Sequence, residues 1–538
     1  MELGRRVVNF GGNVAFVPTA IERPRSADEV TAAMQKRPGE RFRCIGAGHS
    51  WNRILATDGV LFDIRELNAV EVDASEGVVR AGAGCTLERL LGELARAGYT
   101  LPTLGAITRQ TLAGAISTGT HGTGHESLSH EVTRARIATF DPDSGNPELE
   151  TFTEGDALRA ARCALGALGV IVELTLRIRR SYRIEECVET TQSIEAVLAG
   201  RGVWPLQQFA LLPWSWTYVV YRRRQTEAQG SRLRAWLLKA LNFVGTDVLL
   251  HLVLEGLLLW ARLFGEGSIR AFFRRIVPHL VTRYRARIDD SQTILTMRHD
   301  LFRHVEMELF VPEQHLQDAI AAIRQLVALA GEGATQIDRL ASLEPELLDA
   351  VWKLRGSYTL HYPLFFRRVL PDDTLISMTS RAEYPVSAWY SISFFTYRRP
   401  QEDFARFART LARCMSALFG ARLHWGKYFP LPLEEAARAY PGFEAFAEIC
   451  RDRNPYRRHD PALDPGCRGR FARRARYRAA SRSSPHVIFR SWRRSWWSTT
   501  TRASACWSSI SWRRRATRSS SPRTRSPQGT SSCARRPT

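Results

Sequence analysis

The stretch Arg43-Cys-Ile-Gly-Ala-Gly-His-Ser-Trp51 constrains the fold more than any other part of the chain. A short apolar run leads into Gly46-Ala47-Gly48, and His49 and Ser50 stand where a strand gives way to a turn. Glycine accepts positive φ and lets backbone approach a ligand closely. Successive N–H groups in such a turn make a concave anion site, suited to a pyrophosphate. Gly-x-Gly alone occurs in many ordinary turns, so one loop decides little. A second stretch, Leu104-Gly-Ala-Ile-Thr-Arg-Gln-Thr-Leu-Ala-Gly-Ala-Ile-Ser-Thr-Gly-Thr-His-Gly-Thr-Gly124, is dense in Gly, Ala, Ser and Thr. It offers backbone donors and hydroxyls with almost no bulk, as expected where a large flat ligand lies against the main chain.

Together these loops resemble the FAD-binding domain of the vanillyl-alcohol oxidase superfamily. They are most similar to the sugar-lactone and alditol oxidases, whose signature is Gly-x-Gly-His-Ser followed by Thr-Gly-Thr-His-Gly. His424-Trp-Gly-Lys427 is similar to that family's His-Trp-x-Lys segment, which faces the flavin. The resemblance implies FAD held by Gly46, Ala47, Gly48, His49 and Ser50 and by Gly105, Thr111, Gly114, Thr118, Gly119, Thr120, His121 and His424. It also implies a covalent link through a ring nitrogen of His49. Leu165-Gly-Ala-Leu-Gly-Val-Ile-Val-Glu-Leu-Thr-Leu176 matches the Gly-x-x-Gly-Val-Ile end of the flavin domain, placing Val170 by the adenine or ribose. Gly105 matches a position where a small residue admits O2, which favours oxidase over dehydrogenase.

The resemblance carries the substrate site over only in part. Alditol oxidases place Glu-x-Arg on one strand and His-x-Thr on the next. Here these read Phe365-Phe-Arg367 and Phe394-Phe-Thr396, and a pocket serine falls at Ala106. Arg367, Thr396 and Lys427 remain as catalytic candidates. Lys427 supplies a cation beside the flavin, an electrostatic role. Arg367 can hold a developing alkoxide but cannot act as a base at neutral pH, which leaves the base unassigned. Sites built for hydroxyls lose free energy when their polar groups go unpaired, and an aromatic wall makes no such demand. The expected substrate is therefore an alcohol or lactone less hydroxylated than a polyol, with O2 or another acceptor taking the electrons. Two rivals are a dehydrogenase reducing a membrane quinone or cytochrome, and an inactive or RNA-binding protein acting through a basic tail.

Length and pattern give an α+β chain with an FAD-binding domain over 1–180 and a substrate domain over 181–430. Residues 431–464 are expected to return to the FAD domain. Ser26 reads as an N-cap with Glu29 at the capping-box position, and Thr86 as the cap of a second helix. His304-Val-Glu-Met-Glu-Leu-Phe-Val-Pro312 alternates like a half-buried strand, so Glu306 and Glu308 are expected to be solvated or structural. Within the insertion 232–282, residues 248–264 are strongly apolar but interrupted by His251, Glu255 and Arg262. A buried helix or helical hairpin is expected there, with an interfacial helix on anionic lipid as the alternative.

Charge excludes a nucleic-acid groove in the body of the protein. Of the formal net charge of +22, the 19 arginines of 465–538 supply all but +3, since that tail holds no Lys, Asp or Glu. The tail is rich in Arg, Ser and Trp and has no apolar periodicity. It reads as a GC-rich gene translated out of frame, or as a disordered arm for RNA or membrane. Nine cysteines fall at irregular spacing without a CxxC pair. That predicts no disulfide framework and no metal site, and the absence of a signal-peptide pattern predicts a cytoplasmic protein.

Overall fold

The first helix, Ala27–Gln35, starts where the sequence puts a cap: Ser26 Oγ accepts from the Glu29 N–H at 3.2 Å. The Glu29 carboxylate reaches back to the Arg25 N–H at 2.7 Å. Thr86 caps Leu87–Arg96 in the same way, accepting from the Arg89 N–H. The computed structural model describes residues 2–231, 250–281, 283–297, 303–397 and 401–453, with a few positions between 237 and 248. These lie in one compact unit, Met1–Gly466. The Arg/Ser/Trp tail and the sequence from residue 454 lie outside the described residues.

Three sheets carry the architecture. The strands Glu2–Leu3, Ala20–Glu22, Val60–Asp63 and Phe42–Ile45 form the first in that spatial order, with the last three parallel. The second is antiparallel, in the order Pro147–Phe152, Val132–Phe140, Val170–Arg177, Val78–Gly82, Val70–Asp73. The helices Ala27–Gln35, Leu87–Arg96, Leu112–Ser117 and Gly155–Ala161 share one apolar core with these two sheets. Tyr440, Phe446 and Cys450 join the same core from the C-terminal side. There Phe443–Arg453 ends with the Arg453 carbonyl accepting from Thr139 Oγ1 and its guanidinium on Glu150.

The third sheet has eight antiparallel strands: Tyr284–Asp290, Arg183–Thr191, Tyr218–Thr226, Gln208–Leu211, Leu364–Val369, Trp389–Thr396, Val305–Pro312 and Arg422–Leu423. Long helices, Leu316–Glu332 and Glu402–Phe419, cover one face and meet Met307, Leu309, Phe366, Ile392 and Phe394 in a second core. The opposite face looks toward the two glycine-rich loops. Val305–Pro312 is therefore buried on both sides, which corrects the half-buried expectation. Alternation along that strand sends Glu306, Glu308 and Phe310 to one face and the aliphatics to the other.

The apolar insertion is helical. Leu250–Phe264 is followed by Gly267–Arg275 and Val277–Leu280. His251, Leu254, Leu258 and Ala261 recur at helical spacing and are buried, while Leu252, Leu259, Trp260, Leu263 and Phe264 are exposed. The helix is one-sided, which corrects the expectation of a buried one. Among the described residues no helix is long and apolar enough to cross a membrane.

Candidate functional site: a glycine-lined cleft closed by His424 and Lys427

The strand Phe42–Ile45 runs into residues 46–52, and this loop is held from two directions. The Asn9 and Asn13 amides donate to the Ser50 and Trp51 carbonyls, and the Phe10 N–H donates to the Gly48 carbonyl. From the far end of the chain, the Trp51 N–H donates to the Gly426 carbonyl, and Asn52 Nδ2 to the Trp425 carbonyl. The second loop follows Thr111, whose Oγ1 would lie 1.9 Å from a Cβ built on Gly46. Only glycine permits that approach of the two loops. Gly48 has φ +69°, which glycine adopts without strain.

Between the loops lies an open cleft, of the concave kind in which small-molecule sites are found. Arg43 through Trp51, Gln110, Thr111, Gly114, Ser117, Thr118, Gly166, Gly169 and Ile171 line it, and His424, Gly426 and Lys427 close one end. No carboxylate is among its lining residues, whereas Arg43 and Lys427 are. A long cleft with a glycine floor, hydroxyls and two cations fits a flat dinucleotide bearing a pyrophosphate. The His49 ring stacks on Phe10, centroids 4.9 Å apart.

The remaining predicted contacts fall around this cleft rather than on it. Val170 points away into the core, and its neighbours Gly169 and Ile171 line the cleft instead. Gly105 packs on Thr120, with 2.6 Å from a built Cβ to Cγ2, and Gly119 packs on Met378. The Ala106 carbonyl accepts from the Met297 N–H. His121 is buried behind the loop, where Nδ1 faces the Gly122 carbonyl at 3.0 Å and Nε2 faces Glu308 at 3.2 Å. His424 lies across the same carboxylate, its Nε2 4.0 Å from Glu308.

His121, Glu308 and His424 are close enough to hold a metal ion, but the hydrogen bonds assign another role. His424 Nδ1 accepts from the Gly426 N–H at 3.0 Å. Its proton therefore sits on Nε2, aimed at Glu308, and no lone pair is left there for a metal. Burial pushes His424 down to about 3, so it stays neutral. Burial works against the Glu308 carboxylate, yet His121, then His424 and Lys427, hold it well below its ordinary value.

The third sheet supplies the opposing wall. Arg367 is paired with Ser391, Phe365 with Ser393, Glu308 with Ser393 and Glu306 with Phe395. Directly paired residues share a face, so these seven side chains point the same way. Thr396 is on the other face, fully buried in the helix-covered core with Phe394 and Ile392. It is thus separated from Arg367, because alternation puts residues 391, 393 and 395 on the site's face. The Arg367 guanidinium makes no hydrogen bond or ion pair among the described residues. Ser391 Oγ is buried without a hydrogen-bond partner. Lys427 lies over the Trp51 ring, 4.9 Å from its centroid, and binds the Glu306 carboxylate. The sequence pointed away from Glu306 and Glu308; acids two apart on a strand, in a chain with a His-Trp-Gly-Lys segment, were the available signal.

Residues 18–142 match the family described as FAD binding domain, and residues 175–459 match D-arabinono-1,4-lactone oxidase. The chain belongs to this family. Its members are FAD-dependent oxidoreductases acting on CH–OH groups, and this protein is one of them. Over 462 residues it is 41% identical to a long-chain alcohol oxidase from an uncultured marine euryarchaeote, covering 85% of this chain and 95% of that one. It is 25% identical to an L-gulono-1,4-lactone dehydrogenase of Mycobacterium tuberculosis, covering 83% and 94%. A cholesterol oxidase from B. sterolicum shares the fold, with a TM-score of 0.65 at 14% identity, covering 85% and 96%. The family fold is the two-domain α+β FAD-binding fold of the PCMH type. Gly46→Ala should cost the protein its flavin while leaving the second sheet folded; the ratio of flavin to protein absorbance in the purified variant measures this.

Proposed function

We propose that the protein oxidises primary alcohols with long apolar chains, using FAD held in the cleft and linked covalently to His49, with O2 as acceptor and H2O2 as second product. The carrying observation is that both glycine loops and the His424–Lys427 segment line one cleft, tied to the third sheet through Lys427 on Glu306 and to an aromatic run through His49 on Phe10. FAD bound there supplies the acceptor for a hydride from the alcohol carbon. Lys427 offers positive charge at the end of the cleft, and Arg367 and Ser391 are donors with nothing else to bind. Ser391 Oγ is buried without a partner, and such a donor is costly unless a ligand meets it. Gly105 keeps the loop behind Thr120 free of side-chain bulk, consistent with access for O2. Residues 1–180, with His424, Gly426 and Lys427 closing the cleft, hold the FAD, and the third sheet carries the substrate face.

The substrate class rests on the wall. Phe10, His304, Phe395, Tyr362 and Tyr397 form a run of ring contacts from His49, with centroids 5.0–5.9 Å apart. Phe365 stands where the polyol enzymes carry a glutamate, and Phe395 shares its face; Phe394, in place of their histidine, lies in the helix-covered core. The 41% identical relative is a long-chain alcohol oxidase. Tyr397 ends the run by hydrogen bonding His251 at 3.0 Å, on the helix whose outer face is apolar. That outer face, with Trp260 stacked on Phe264 and Arg275 and Arg283 exposed nearby, suits the surface of an anionic bilayer, where such alcohols reside.

Acid-denatured parent should keep flavin fluorescence on the polypeptide and His49→Ala should release it; a parent that releases all its flavin excludes the link. Leu263→Glu with Trp260→Glu should abolish co-sedimentation with phosphatidylglycerol vesicles while leaving flavin content intact. A parent that does not sediment with those vesicles excludes the membrane contact.

A further inference from the structure

The sheet lacks a carboxylate where the polyol enzymes carry theirs, because Phe365 stands there. It supplies one from Val305–Pro312, two strands away. Glu306 lies on the same face as Phe365 and Arg367, directly across from Phe395. Its carboxylate is 5% exposed and bonded to Lys427, which itself closes the FAD cleft. The backbone fixes this geometry, since the Glu306 carbonyl accepts from the Tyr428 N–H at 2.7 Å and the Glu308 carbonyl from the His424 N–H at 3.0 Å.

We propose that Glu306 is the catalytic base that takes the hydroxyl proton of the alcohol. This rests on the alcohol-oxidase reading above. The groups facing Glu306 are Lys427, Glu308, Arg367 and the Tyr397 phenol. Burial raises its carboxyl above the ordinary value; Lys427 opposes that and Glu308 adds to it. A carboxylate that is less acidic than usual, yet kept ionised by a lysine, is a better proton acceptor near neutral pH. The neighbouring Glu308 cannot share the task, because His121 and His424 hold its charge.

The step balances. The alcohol O–H bond breaks and its proton goes to a Glu306 oxygen. The carbon–hydrogen bond breaks with its electron pair going to FAD, and the carbon–oxygen double bond of the aldehyde forms. O2 would take the two electrons and the transferred hydrogen from the cofactor, with one proton from water, to give H2O2, and Glu306 returns its proton to water, so the protons balance. Arg367, always charged, holds the oxygen during the transfer.

The test is rapid anaerobic mixing of the full-length holoenzyme with 1-decanol, following flavin reduction across pH. Glu306→Gln should reduce about 10²–10⁴-fold more slowly, with the parent's flavin content and spectrum. The parent's rate should fall as pH drops through a carboxyl pKa above the ordinary 4.5, since the protonated acid cannot accept, and this limb should vanish in Glu306→Gln. A flavin-loaded Glu306→Gln that reduces at the parent's rate overturns the proposal. So does a parent rate that is flat through the acid range, a result that needs no variant to fold. A holoenzyme reduced by no primary alcohol overturns the alcohol-oxidase reading itself, and the base with it.

Discussion

A single buried carboxylate ties the second glycine-rich loop to the third sheet. Glu308 rises from Val305–Pro312, takes His121 from the second glycine-rich loop and faces His424 from the segment that closes the cleft. Each group is nearly inaccessible to water. Leaving one partner of such a set unpaired costs about 3–5 kcal/mol, so the three segments hold one arrangement. The rest of the site follows from that register. With His424 fixed, Trp425 donates to the Ile376 carbonyl and Gly426 meets the Trp51 N–H. Lys427 then falls at the mouth of the cleft.

Two glutamates one pleat apart have opposite fates for electrostatic reasons. Two imidazoles surround Glu308, which makes it a strong, inert anion that organises structure. Glu306 meets one lysine, carries the desolvation cost and feels Glu308's charge, which leaves it basic. Environments that push like groups apart mark an acid–base assignment. The same separation explains the aromatic surroundings, since rings such as Phe395, paired across from Glu306, keep it dry.

Much of the glycine-lined cleft was legible because its backbone requirements are local. Gly46 to Ser50 and Thr111 to Thr118 are contiguous, and glycine is required wherever a loop approaches within van der Waals contact. The caps at Ser26 and Thr86 were legible for the same reason, because a hydroxyl three residues before an N–H needs no tertiary context. The substrate face was not. Whether residue 396 or residues 391 and 393 look at Arg367 is a matter of strand register, and a shift of one residue reverses every side chain. Reading Phe394-Phe-Thr396 against a family pattern put Thr396 beside Arg367, whereas pairing puts Ser391 there. Glu306 and Glu308 were hidden because polar alternation normally means solvent, and here it means a second buried layer that only the fold brings into contact. Leu250–Phe264 was misjudged in the other direction, since an apolar run does not reveal that half of it faces outward.

The most direct test of the account is oxygen uptake by the flavin-loaded protein in air with a long-chain primary alcohol. The account predicts O2 consumption matched by equal amounts of aldehyde and H2O2, with xylitol a far poorer substrate than the aliphatic alcohol. A fully flavin-loaded protein that consumes O2 with xylitol as readily as with the alcohol, or with neither, would contradict it.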